Sequence, residues 1–160
     1  MNLFRFLFNA AVKYRAQSVG YNLHVNHFSI VSNMTNLGNN VNFNGIRIGG
    51  IGKVEIGNNF HSGRDCLIIS QNHNYDGGES IPYDATYIPK NVLIEDNVWI
   101  GDRVIILGGS IIREGSIIQA GSVVVGEIPK CSIAGGHPAK VFKMRDIEHY
   151  EKLKSEKKFF

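Results

Sequence analysis

From residue 88 the chain divides without remainder into sixes: IPKNVL, IEDNVW, IGDRVI, ILGGSI, IREGSI, IQAGSV and VVGEIP. The first position of these units reads Ile88, Ile94, Ile100, Ile106, Ile112, Ile118 and Val124. The fifth reads Val92, Val98, Val104, Ser110, Ser116, Ser122 and Ile128. An aliphatic every sixth residue fits neither the 3.6-residue period of a helix nor the two-residue period of a simple strand. A unit that is part strand and part turn does fit. If each unit forms one side of a triangular coil, three units, or about 18 residues, make a turn, and equivalent residues stack at about 4.8 Å, the spacing of neighbouring strands. First-position aliphatics then point inward as ladders, and fifth-position residues face inward near a corner, where space is short. The composition agrees: 20 Ile and 13 Val against 8 Leu disfavour a helical bundle, and 18 Gly with 16 Asn suit repeated tight turns at positive φ.

This pattern resembles the hexapeptide-repeat acetyltransferases, whose fold is all-β, a left-handed parallel β-helix. The left hand is implied by that resemblance and not by the period. Upstream the repeat loosens. Leu37 and Phe43 keep the spacing, as do Ile56, Ser62 and Ile68, but the runs are out of phase. The expected organisation is one structural domain: an N-terminal helix and lead-in over 1–29, irregular early coils over 30–71 with insertions near Ile48–Val54, an extruded loop over 72–87, regular coils over 88–135, and a G-H-P-A-K ending with a C-terminal helix over 136–160. The two terminal helices are expected to cover the ends of the solenoid.

Net charge is +3, from 17 basic and 14 acidic residues, too mild a balance to argue for nucleic acid. Cys66 and Cys131 lack the spacing of a metal site and read as buried thiols of a reduced, cytoplasmic protein. No run approaches the roughly 20 apolar residues of a membrane span. The start, with Leu3, Phe4, Phe6, Leu7, Phe8 and Val12, reads as a short amphipathic helix. Docking onto the protein's own body is favoured for it, with contact to a membrane surface as the less favoured alternative.

Chemistry concentrates where the ladder is interrupted. His73, in S-Q-N-H-N-Y-D, follows the apolar run Leu67-Ile68-Ile69 and opens the polar, aromatic loop. A neutral imidazole can take a proton from an alcohol or amine at physiological pH. Asp76, Asn72, Asn74 or a backbone carbonyl could orient it. By the resemblance, His73 is the catalytic base. Trp99, in V-W-I-G, should lie near His73 of a neighbouring chain, supporting catalysis or shaping the thioester or acceptor pocket. The ending Q-A-G-S-V-V…I-P…G-H-P-A-K is similar to the segment that binds coenzyme A in that family. It implies Ala120 and Gly121 against the pantetheine, with Lys140 or Lys143 at the phosphates. Val125-Gly126 stands where sugar acetyltransferases often carry Thr-Lys, so one expected cation is missing.

The resemblance thus implies an acetyl-CoA-dependent O-acetyltransferase acting on a sugar hydroxyl of a surface glycan, as a homotrimer with sites between chains. Tyr75, Asp76, Tyr83 and Tyr87 are acceptor-side candidates, since aromatics and carboxylates suit sugar faces and hydroxyls. Three alternatives share the scaffold: N-acetylation of a nucleotide-linked amino sugar, a gamma-type carbonic anhydrase with three zinc-binding histidines, and a non-catalytic platform. With His73 the only histidine between His61 and His137, no metal is expected.

Overall fold

The computed structural model describes residues 3–160; Met1 and Asn2, the start of the expected 1–29 segment, lie outside the described residues. Short strands wind into a parallel coil with three faces. One face stacks β1 (Ser18–Val19), β3 (Thr35–Leu37), β6 (Val54–Ile56), β11 (Val92–Ile94), β14 (Ile111–Ile112) and β17 (Glu127–Ile128). The second stacks β2 (His24–His27), β4 (Asn42–Asn44), β7 (His61–Ser62), β12 (Trp99–Ile100), β15 (Ile117–Ile118) and β18 (Ser132–Gly136), and ends with the antiparallel β19 (Ala139–Met144). The third holds β5 (Ile46–Gly49), β8 (Cys66–Ile69), β13 (Ile105–Ile106) and β16 (Val123–Val124). Helix α1 (Leu3–Arg15) precedes the coil and α2 (Ile147–Ser155) follows it.

The register bears out a turn of three units. Leu93 pairs with Ile111, Trp99 with Ile117 and Ile105 with Val123, each partner lying three sixes further along the chain. Ile94, Ile100, Ile106, Ile112, Ile118 and Val124 are all buried, as are Val92, Val98, Val104, Ser110, Ser116 and Ser122 at the corners. Three corner serines satisfy their hydroxyls on backbone: Ser110 Oγ donates to the Leu107 carbonyl at 2.7 Å, Ser116 Oγ to the Pro129 carbonyl at 2.7 Å, and Ser122 Oγ accepts from the Gly136 amide at 3.1 Å. Ile88 departs from the expected ladder. It lies in β10 (Tyr87–Pro89), paired antiparallel with Asn72 of β9 (Gln71–His73), and is 36% exposed. The regular coil therefore begins at Val92, because the chain is still outside the coil at Ile88.

Strands also start earlier than the 1–29 lead-in suggests. Ser18 pairs with Asn36 and His24 with Asn42, again three sixes on. Near Ile48–Val54 the coil does widen: the step between the successive inward positions Ile48 and Ile56 is longer than the regular step from Ile106 to Ile112.

Asparagine marks one corner for a specific reason. Asn22, Asn40, Asn59 and Asn97 all sit at positive φ, between 53° and 59°, a conformation that Asn tolerates better than most side chains. Each carboxamide donates to the next, at 2.8, 3.0 and 2.8 Å, and Asn97 Nδ2 closes the row on the Tyr150 hydroxyl at 3.0 Å. At the following turn the place belongs to Gly115, where a Cβ would come within 2.8 Å of the Tyr150 ring. The glycine makes room for α2 to dock, and Tyr150, buried, donates from its hydroxyl to Glu114 Oε1 at 2.8 Å. Burial and that bond to Glu114 push the Tyr150 phenol well above its usual range, so it stays a donor.

Glu114 also binds Lys154, with Lys130 Nζ 3.9 Å from its other oxygen. Burial alone would raise this carboxyl, but the bonds from Lys154 and Tyr150 and the charge of Lys130 outweigh it and hold it below its ordinary 4.5. A carboxyl depressed in the folded state stabilises above its unfolded pKa and loses that contribution as pH falls through the folded value. Docking of α2 should therefore be complete above pH 4.5 and weaken below it in the wild type. In Glu114→Gln the acid-side loss, read as trypsin sensitivity of the C-terminal segment against pH, should be flattened.

Candidate active site

The coil is left at Ser70 and rejoined at Lys90. Ser70, fully buried, donates its amide and hydroxyl to the Gly49 carbonyl at 2.8 and 3.1 Å, and its own carbonyl accepts from Gly52 and Lys90 amides at 3.0 and 2.9 Å. A Cβ on Gly52 would lie 2.7 Å from the Lys90 carbonyl oxygen, so only glycine fits this neck. Beyond it the chain is a β-hairpin, β9 and β10, and not an open loop. The coil closes beneath the hairpin as if it were absent: His61 pairs with Trp99 and Leu67 with Ile105, with the whole insertion lying between the partners in sequence.

His73 ends β9 directly opposite Tyr87. Its ring stacks on Tyr83 at 3.7 Å between centroids and 19° between planes, and leans on Tyr87 at 4.5 Å and 38°. Nδ1 is buried and has no hydrogen-bond partner among the described residues. Neither Asn72, Asn74 nor Asp76 supplies one. Asn74 instead donates to Thr86 Oγ1 at 3.2 Å and accepts from the Gly77 amide at 3.1 Å, while Tyr75 and Asp76 are exposed on the outer loop. The aromatic candidates thus divide: Tyr83 and Tyr87 are against the imidazole, and Tyr75 is not.

The carboxylate that organises the loop is Asp84, which the sequence reading passes over. Its Oδ1 accepts from the Thr86 amide at 2.8 Å and from the Thr86 hydroxyl, and Oδ2 accepts from the Glu79 amide at 3.1 Å. Those bonds, the Thr86 hydroxyl foremost, hold its carboxyl below the ordinary value. The D-A-T spacing of an Asx turn is the local signal for it.

Ala120 and Gly121 form the exposed corner between β15 and β16 and line an open groove of about 550 Å³ with Arg64, Asp65, Asp102 and Arg103. Stacking places these residues together, since the Arg103 amide donates to the Arg64 carbonyl at 2.7 Å and the Gly121 amide to the Asp102 carbonyl at 2.8 Å. The turn between β18 and β19 lies above that corner, with the Gln119 amide donating to the Ala134 carbonyl at 2.9 Å. Lys140 opposes Gly135 in that pair and Lys143 opposes Ile133, both exposed. The cations beside the small-residue corner itself are Arg64 and Arg103. Sequence spacing hides them, for each belongs to an earlier turn of the coil than Ala120.

Trp99 is 54% exposed on the second face, between His61 and Ile117, at a cleft of about 210 Å³ shared with Tyr150 and Phe160. His73 leaves from the end of the third face, so the two do not share a face in one chain. The groove at Ala120 and the hairpin at His73 also stand at opposite ends of β8, about 13 Å apart by strand length. Among the described residues, no group of three His, Cys, Asp or Glu is arranged to hold a metal ion.

By sequence, no curated protein matches the chain. Residues 91–126 match the bacterial transferase hexapeptide (six repeats) family. Among solved structures, the chain is similar to a galactoside acetyltransferase in complex with coenzyme A, at 27% identity and TM-score 0.76, over 88% of this chain and 72% of that one. A maltose O-acetyltransferase from Clostridium difficile 630 is 30% identical at TM-score 0.64, over 81% of this chain and 66% of that one. A hexapeptide-repeat acetyltransferase from Vibrio cholerae, 23% identical at TM-score 0.77 over 90% and 82%, shares the fold. With a coil of three units per turn and an extruded histidine hairpin, the chain carries the hexapeptide repeat over residues 91–126 and is similar in fold to the hexapeptide-repeat acetyltransferases.

Proposed function

We propose that the protein transfers an acetyl group from acetyl-CoA to a sugar hydroxyl of a capsular, lipopolysaccharide or related surface glycan, with His73 as general base. The observation that carries this reading is the His73 ring itself. It is clamped by Tyr83 and Tyr87 on a hairpin outside the coil, and its buried Nδ1 lacks a partner among the described residues. His73 takes the hydroxyl proton as the oxygen attacks the thioester carbonyl. It returns that proton to the departing thiolate, leaving an acetyl ester and the free thiol. Tyr83 and Tyr87 present aromatic surface to a sugar beside the base, with Tyr75 and Asp76 further out on the loop.

The groove at Ala120 and Gly121 suits the donor. Among the described residues, apart from Gly121 and its two chain neighbours, no atom lies within 4 Å of where a Gly121 Cβ would stand, which leaves the backbone open to a pantetheine chain, and Arg64 and Arg103 are placed for phosphates. Lys140 and Lys143 are the further cations at the neighbouring turn. A homotrimer goes with this reading, because a second chain can bring the donor groove, Trp99 and a partner for Nδ1 to a hairpin that one chain holds about 13 Å from its own groove. Buried free thiols at Cys66 and Cys131 go with a cytoplasmic location.

Thiol release from acetyl-CoA, measured over a panel of hydroxyl and amino-sugar acceptors, tests the reading. Release driven at least tenfold faster by hydroxyl acceptors is expected. Preference for an amino group would replace it with N-acetylation, and no release with any acceptor would overturn it.

A further inference from the structure

Helix α1 has two apolar faces, and the coil uses only one. Phe8, Val12 and Ala16 turn inward: Val12 joins the core, the other two pack against it, and the Arg15 guanidinium ties the helix end to the Val31 carbonyl at 3.1 Å. Leu3, Phe6, Leu7, Ala10 and Tyr14, at the i, i+3, i+4, i+7 and i+11 positions, form a stripe on the other side. Their large members are 50–91% exposed.

The charge around this stripe is one-sided. The first acidic residue of the sequence is Glu55, which pairs with Lys53, whereas Arg5, Lys13, Arg15 and Arg47 also precede it. Among the described residues none of these four forms an ion pair; Arg5 instead contacts His24 Nδ1. A coil keeps residues that are close in sequence close along its axis, so this basic character stays at the end that α1 covers.

We propose that this end of the protein docks on an anionic lipid surface, with the outward stripe of α1 lying in the headgroup region and Lys13 and its neighbours meeting lipid phosphates. Charge decides the occupant. A second copy of the same end would bring Lys13 and Arg15 against their own like charges, on a helix that carries no acidic residue. An anionic bilayer complements both the stripe and its cations. The hairpin is well placed for such a surface: Ile30, Arg47 and Leu67 pair in succession, so β8 stands two strand spacings, about 10 Å, above the first turn of the coil. If the acetyltransferase reading holds, docking keeps His73 within reach of an acceptor anchored in that membrane.

Sedimentation with phosphatidylcholine vesicles, with and without an admixture of the anionic lipid phosphatidylglycerol, tests this on the full chain. The wild type should pellet with the anionic vesicles at least tenfold more than with the neutral ones, and salt should weaken that binding. F6E and L7E should abolish it, K13E should reduce it about tenfold, and all three should keep wild-type thiol release with a water-soluble acceptor. Equal binding to both vesicles, no binding, or wild-type binding by F6E and L7E would overturn the proposal. Absence of vesicle binding together with a smaller particle in F6E by light scattering would also overturn it, and would identify a second copy as the occupant.

Discussion

His73→Ala should lower turnover by about 10²–10⁴-fold, the range for removing a general base, equivalent to about 3–5.5 kcal/mol of transition-state stabilisation. The fold should survive, because His73 stands on the hairpin outside the coil, with its ring against Tyr83 and Tyr87 of the same hairpin. Circular dichroism and the urea midpoint would show this independently of activity. The loss should fall on kcat and kcat/KM alike, since the base acts in the transition state. Tyr83→Ala gives a graded companion, because the base remains but the stacked ring that sets its orientation is gone. Near-normal turnover in His73→Ala would remove His73 as the base.

The largest effect on stability should come from Ile100→Ala. Ile100 is fully buried in the middle of the ladder, with Ser62 and Ile118 as its paired neighbours along the second face. Truncation there removes contact with both adjacent turns and leaves a cavity that a closed coil can relax only in part. About 2–5 kcal/mol is expected, a large share of the roughly 5–15 kcal/mol typical of a domain. Ile88→Ala is the informative control. The six-residue arithmetic makes the two positions equivalent, yet Ile88 lies on the hairpin and its truncation should cost less than about 0.5 kcal/mol. Urea unfolding of both variants separates the ladder from the hairpin, and equal losses would contradict the assignment.

That pair also shows how far local pattern reaches. Each six-residue unit carries its own instructions: an inward aliphatic, a small or β-branched residue at the tight corner, and Gly, Asn or Asp where φ turns positive. Those are properties of a few adjacent residues, so the ladder from Ile94 to Val124 and the corner serines are legible without a structure. The N-terminal turns are less so. Ser18 to Asn44 already follow the three-unit spacing, but polar residues such as His24, Asn36 and Asn42 hold their outward positions and dilute the aliphatic signal.

The candidate site was legible in part for the same reason. An interrupted ladder points to the segment that holds His73. The Asp84–Thr86 turn, the stacking of Tyr83 on the imidazole and the unpartnered Nδ1 depend on how that segment folds back on itself.

By itself the sequence determined the coil, the direction of each ladder side chain from Ile94 onward, the place where the chain leaves the coil and the histidine there. These follow from a repeat short enough for covalent geometry to enforce. The tertiary structure alone decided that Arg64 and Arg103 meet Ala120, that the hairpin shuts the His73 ring between two tyrosines, and that α1 buries one apolar stripe and leaves the other outside. Such contacts depend on the summed lengths of everything between the residues. An insertion such as the hairpin shifts them all without altering a single repeat.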